Sequence, residues 1–141
     1  MSQANVDLLR EAFDAFNREG VDAIIEILDP EFEAVAPPEL TVEPDTYKGH
    51  AGIRRYFDSF YEVMEEVHFY PQEFIDAGDK VVVPMVLWAK GRGTGIEAEQ
   101  RIVQVWTIRQ GKATRVENYA DRAAALEAVG LEAPDGSGQA S

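Results

Sequence analysis

The chain has 141 residues, enough for one domain with its own core, and carries a formal net charge of −13 with no cysteine. The missing thiol excludes disulfides, thiolate nucleophiles and cysteine-held metals. The carboxylate excess, concentrated in residues 1–70, disfavours nucleic acid and anionic lipid as partners.

The opening MSQANVDLLREAFDAF lacks a basic stretch followed by an apolar run, so no signal peptide is expected. No apolar run reaches the length of a membrane span, and a cytoplasmic setting is the expectation. Val6, Leu9, Phe13 and Phe16, with Ala12 beside them, recur at helical spacing and predict a helix over 5–18 that Gly20 stops. A short second helix is expected over 21–28, closed by Asp29-Pro30. A strand is expected over 32–36, ended by Pro37-Pro38. Residues 37–49, PPELTVEPDTYKG, form a long connection that suits a lid, a cavity entrance or a plain surface loop. A third helix over 50–66 buries Ile53, Tyr56, Phe57, Phe60 and Met64, whose rings fill a core or line an apolar cavity equally well.

Four strands follow, over 68–77, 80–90, 97–109 and 113–119. Pro84 lacks a ladder donor and predicts a bulge or an edge position. The GRGTG segment joins two strands and lacks the helix terminus a phosphate loop uses, so it is expected to be a hairpin turn. Asp121 caps a last helix, RAAALEAV, and Gly130 ends it. The tail 132–141, EAPDGSGQAS, is expected to be disordered. Helices first and an antiparallel meander after them predict an α+β fold, a twisted sheet curled around helices.

The segment RIVQVWTIRQGKATRVENY, ending at Tyr119, carries the chemistry. A two-residue turn at Gln110-Gly111 pairs Arg109 with Lys112, Trp106 with Arg115, Gln104 with Glu117 and Ile102 with Tyr119. One face then holds Gln104, Trp106, Arg115, Glu117 and Tyr119. The other holds Val103, Val105 and Thr107 beside Thr114, Val116 and Asn118. Its apolar part predicts a second layer, a homodimer partner on the outer sheet face; exposed β-branched residues with strand propensity are the alternative. Glu117 and Arg115 are read as a pair that orients a ligand, as a structural ion pair, or as a setting in which Glu117 acts as acid or base. His68, just past the third helix, is a second candidate base, while His50 belongs to that helix's start. Two distant histidines without HxH or HExxH spacing predict no metal site, and no nucleotide fingerprint or G-x-S-x-G elbow is present, so no cofactor is expected.

The stretches LLREAFDAFNREGVDAIIEILDPEFE, YKGHAGIRRYFDSF, AGDKVVVPMVLWAKGRG and RIVQVWTIRQGKATRVENY, followed by DRAAALEAVGL, give the chain a recognisable layout. It resembles the SnoaL-like branch of the superfamily of nuclear transport factor two and ketosteroid isomerase. The match spans residues 5–131, making 1–131 the expected SnoaL-like domain. The resemblance implies a cone-shaped curved sheet, mixed or antiparallel, wrapped around N-terminal helices (a cystatin-like roll). It also implies an apolar cavity lined by Phe13, Phe16, Tyr56, Phe60, Gln104, Trp106, Glu117 and Tyr119. The two acids of ketosteroid isomerases fall at Ala36 and Gln104, their first-helix tyrosine falls at Phe13 or Phe16, and the aspartate of the polyketide cyclases also falls at Gln104. Arg115 and Glu117 match part of the aspartate–arginine–aspartate set of limonene-epoxide hydrolases. Asp22 and His68 approximate the aspartate–histidine pair of dehalogenase and dehydratase relatives. Two functions follow from the resemblance. One is a cofactor-independent isomerase, cyclase or hydrolase acting on a small hydrophobic metabolite through a pocket carboxylate. The other is a non-catalytic ligand-binding or structural dimeric accessory protein.

Overall fold

The computed structural model describes residues 2–35 and 46–131. Ala36, most of the expected lid and the 132–141 tail lie outside the described residues. Helix α1 (Ser2–Glu19) buries Val6, Leu9, Ala12, Phe13 and Phe16, the stripe its spacing dictates. Each of the larger side chains stabilises the packed helix by roughly 1.5–3 kcal/mol. Gly20, at φ 96°, takes a backbone shape that side chains resist, and its N–H closes on the Phe16 carbonyl at 2.8 Å.

The second helix, α2 (Val21–Ile25), is shorter than expected. Leu28 already enters β1 (Leu28–Val35), so Asp29-Pro30 lies inside a strand instead of closing a helix. The ladder from β1 to its parallel neighbour is irregular between Leu28 and Glu33, which leaves Pro30 where no donor is required. A three-residue strand β2 (Thr46–Lys48) pairs antiparallel with β1 and leads into α3 (Gly49–Val63). After α3 come β3 (Met64–Pro71), β4 (Ile75–Ala77), β5 (Lys80–Gly91), β6 (Glu97–Arg109), β7 (Lys112–Tyr119) and α4 (Arg122–Ala128). The expected strand over 68–77 is thus two strands, and the third helix ends three residues early to supply the first of them.

The strands form a seven-stranded sheet in the order β2-β1-β7-β6-β5-β3, with β4 also on β5; among the described residues β1 and β7 alone run parallel. It is the mixed, strongly curled sheet of an α+β roll, with the helices α1 and α3 inside the curl. Phe13, Phe16, Phe57, Phe69 and Trp106 belong to the core on this concave face.

Pro84 produces neither a bulge nor a sheet edge. The β5–β6 ladder runs unbroken through Pro84 opposite Val103. On its other side β5 meets β3 up to Met85 and β4 from Val82, so Pro84 sits at the break between them. Its carbonyl accepts from Gln72 N at 2.8 Å across that break, and its missing N–H leaves no partner wanting.

The convex face carries a second apolar cluster of Val82, Val103 and Val105. Helix α4 of the same chain covers it with Ala125 and Leu126, while the Asp121 carboxylate accepts from Ala124 N at 2.8 Å to cap that helix. The second layer expected of a partner subunit on Val103 and Val105 is therefore supplied by the chain itself, and Val116 belongs to the concave core. Among the described residues no helix is long and apolar enough to cross a membrane.

Candidate functional site

The register of β6 and β7 decides the site. Gln110 and Gly111 both have positive φ, 52° and 77°, the two-residue turn that the right-handed twist of a hairpin favours. Arg109 pairs with Lys112 and Ile108 with Ala113, but Thr107 then pairs with Arg115. Thr114 is an extra residue, a bulge beside the turn. From there Trp106 meets Val116, Val105 meets Glu117, Gln104 meets Asn118 and Val103 meets Tyr119. This corrects the expected pairing by one residue, and in a strand one residue exchanges the faces. Val116 and Asn118 turn to the concave side. Arg115, Glu117 and Tyr119 turn to the convex side.

The concave side holds a cavity. Phe13 and Phe16 of α1 and Ile53, Tyr56, Phe57 and Phe60 of α3 form the helical wall. Phe32 and Ala34 of β1, Leu87 of β5, and Ile102, Gln104, Trp106, Val116 and Asn118 of β6 and β7 form the sheet wall; Tyr47 of β2 stands between them. The cavity volume is about 70 Å³. The cleft is narrow, with room for a few waters or a slender molecule. Its walls are rings in mutual contact. Trp106 stands edge-on to Phe13 at 5.8 Å, and Tyr47 lies 4.8 Å from Tyr56.

One polar chain crosses the sheet wall. Trp106 Nε1 donates to Gln104 Oε1 at 2.9 Å, Gln104 Nε2 donates to Asn118 Oδ1 at 3.0 Å, and Asn118 Nδ2 donates to the Val35 carbonyl at 3.2 Å. Gln104 is 8% exposed. The titratable groups among the described lining are Tyr47 and Tyr56. Burial, and secondarily Tyr47, pushes the Tyr56 phenol up to about 12, so it is a neutral hydroxyl at any ordinary pH.

A family model for the SnoaL-like domain matches residues 9–116. The chain belongs to the SnoaL-like family. Among solved structures, an NTF2-like protein of unknown function from Burkholderia pseudomallei K96243 is 23% identical, covering 89% of this chain and 97% of its own, with a TM-score of 0.73. TerC, co-crystallised with polyporic acid, is 29% identical over 90% of this chain and 98% of its own, with a TM-score of 0.72. SalBIII, an epoxide hydrolase/cyclase-like enzyme of pyran ring formation in the polyether salinomycin, is 23% identical over 84% and 92%, with a TM-score of 0.70. No curated protein matches.

In this SnoaL-like protein Phe13, Phe16, Tyr56, Phe60, Gln104 and Trp106 lie together on the cavity wall. Glu117, Arg115 and Tyr119 do not join them. On the convex face Arg115 Nη1 bonds Glu33 at 2.8 Å, its Nη2 stands 3.7 Å from Glu117, and Tyr119 Oη donates to Glu117 at 3.5 Å. Lys48 adds a contact to Glu33 at 3.6 Å. Burial and then the Glu117 carboxylate push the Tyr119 phenol up. The network is a partly exposed ion cluster on three strands, removed from the cavity by the thickness of the sheet.

His68 also faces outward, opposite Trp88, with its Nε2 3.3 Å from Glu66. Its ring lies 5.5 Å from Trp88 and 6.1 Å from Tyr70. His50 binds the Leu28 carbonyl at 2.9 Å, fastening the start of α3 to β1. Asp22 pairs with Arg54 at 2.6 Å on the surface. Among the described residues no three His, Asp or Glu side chains gather as metal ligands. Val116 and Asn118 are lining residues that sequence reasoning placed on the wrong face, and Tyr47 is one it did not single out. The period-2 pattern of 112–119 carries the Asn118 assignment only once the Thr114 bulge is known.

Proposed function

We propose that this SnoaL-like protein binds a small, flat, largely apolar molecule in the cleft between α3 and the concave face of the sheet, as a ligand-binding protein and not through carboxylate acid–base chemistry. One observation carries this reading: among the described residues the lining is rings and aliphatic chains, with polar groups confined to two amides, one indole and two phenols. Such a surface rewards apolar contact and orients a ligand by neutral hydrogen bonds. Among the described residues the lining offers no carboxylate or imidazole to move a proton at neutral pH. The co-crystallisation of TerC with polyporic acid supports a ligand site in this fold. The SalBIII name keeps the cyclase and hydrolase reading as the alternative, and Glu117 on the convex face weighs against its carboxylate form.

The test uses a Trp88→Phe background, which leaves Trp106 as the sole indole of the two in the chain. Titration with naphthalene and related planar aromatics is expected to change Trp106 emission saturably. Ala34→Phe, which fills the cleft from β1, is expected to abolish the change while the fold is retained. An unchanged response in Ala34→Phe would place binding elsewhere and refute the proposal.

A further inference from the structure

The polar chain on the sheet wall has a direction. Indole Nε1–H can only donate, and the Val35 carbonyl can only accept. Both ends of the chain Trp106–Gln104–Asn118–Val35 are thereby fixed. Gln104 must turn its oxygen to Trp106 and its NH2 to Asn118. Asn118 must in turn receive with its oxygen and donate to Val35. Neither amide can flip without setting donor against donor or acceptor against acceptor.

Each amide nitrogen carries two hydrogens and uses one in this chain. Neither Gln104 nor Asn118 makes another bond among the described residues, so one N–H on each has no partner among them. The two residues are direct cross-strand neighbours, which sets their side chains side by side on one wall. The oxygens of both amides already accept once. Gln104 is buried and Asn118 half-buried, so the spare N–H of Gln104 is the costlier omission, because a carbonyl with one bond is still served. Facing them, the Tyr56 hydroxyl also lacks a hydrogen-bond partner among the described residues, and its phenol keeps its proton.

We propose that the ligand of this cavity carries an uncharged carbonyl oxygen, received by the spare N–H groups of Gln104 and Asn118, and that Gln104 is the residue that selects it. The inference rests on the cavity being the ligand site. An anion finds no cation among the described lining residues, and an ammonium finds no carboxylate. A carbonyl set on a flat apolar frame satisfies the spare donors and leaves its rings to the aromatic walls.

The experiment compares 1-indanone with indane, nearly the same shape with and without the carbonyl, by ligand-detected NMR titration of the full chain. Wild type is expected to bind the ketone roughly tenfold more tightly, the worth of about one good hydrogen bond. Gln104→Leu is expected to bring the two affinities within about twofold of each other. Gln104→Glu keeps the side-chain length, replaces the donor with an acceptor, and is expected to lose the preference too. The carbonyl stretch of bound 1-indanone should lie at lower wavenumber in wild type than in either variant, a shift that loss of packing alone does not produce. Equal affinities in wild type, or a preference intact in both variants, overturn the inference while leaving the apolar site standing. Failure of both molecules to bind wild type overturns the ligand site and this inference with it.

Discussion

The hydroxyl of Thr114 donates to the carbonyl oxygen of Thr107 across 3.3 Å, at the point where β7 holds one residue more than β6 can pair. Everything beyond this contact takes its face from it. With Thr114 bulged out of the ladder, Val116 and Asn118 line the cavity, and Arg115 and Glu117 join Glu33 outside.

Inserting one alanine between Thr114 and Arg115 tests that dependence. With Thr114 still bulged, the inserted residue takes the place opposite Thr107 and Arg115 moves to Trp106, which carries Arg115 and Glu117 inward and Val116 outward. The lost burial of Val116 costs about 2 kcal/mol, and unpairing charges inside costs roughly 3–5 kcal/mol more. The insertion variant is expected to lose most of its cooperative unfolding transition in urea, whereas deletion of Thr114, which leaves Arg115 opposite Thr107 and Val116 opposite Trp106, should keep one. Wild-type stability in the insertion variant would mean that the residue count after the turn does not set the register.

The amide chain makes a second, separable prediction about stability. Gln104→Leu strands the Trp106 N–H and the Asn118 oxygen, at a cost of about 1–3 kcal/mol. Asn118→Leu strands a Gln104 N–H and the Val35 carbonyl, at a similar cost. The double variant is expected to cost less than the sum of the two by about 1 kcal/mol or more, because the bond between the amides is then counted once. Urea melts of all four proteins give this coupling directly, and strict additivity would show that the two amides do not act as a unit.

Most of the scaffold was legible from the chain alone, for reasons particular to certain residues. The Val6, Leu9, Phe13 and Phe16 stripe has one helical solution, and Gln110-Gly111 between β-rich runs has one turn. Pro84 announced a missing donor, but where the gap lay depended on β3 and β4 parting between Pro71 and Ile75. The bulge was not legible, since Thr114 is an ordinary strand residue and carries no glycine signature. That single residue misdirected Glu117 and hid Asn118. The helix α4 was readable from its cap, yet its seat on Val103 and Val105 is a tertiary fact that no local pattern encodes.

That seat can be probed at Leu126, which is 2% exposed and packs in the convex cluster. Leu126→Ala is expected to destabilise by about 2–4 kcal/mol, the range for a leucine truncated in a packed interior. Leu126→Lys should go further, lifting α4 and uncovering Val82, Val103 and Val105 as an apolar patch. Sedimentation velocity should then show self-association beyond the wild-type level at equal concentration. A Leu126→Lys protein with the wild-type sedimentation profile and melting midpoint would mean that α4 is not what shields this face.

The last prediction follows from the Tyr56 phenol, whose pKa is raised from 10.0 to about 12 by burial and by Tyr47. The unfolded chain gives up this proton near pH 10, while the folded protein holds it until about pH 12. Between those values the native state binds more protons than the unfolded state, so stability falls as pH rises. The stability this group contributes is complete below pH 10 and gone above about pH 12, a loss of roughly 2–3 kcal/mol. The comparison is with Tyr56→Phe, which keeps the ring against Phe60 and Tyr47. Urea midpoints measured from pH 9 to pH 12 should decline more steeply in wild type than in Tyr56→Phe, with the difference opening above pH 10. Parallel curves would mean that the phenol titrates as though in water, and that the cavity around it is not the dry, aromatic cleft on which the ligand reading depends.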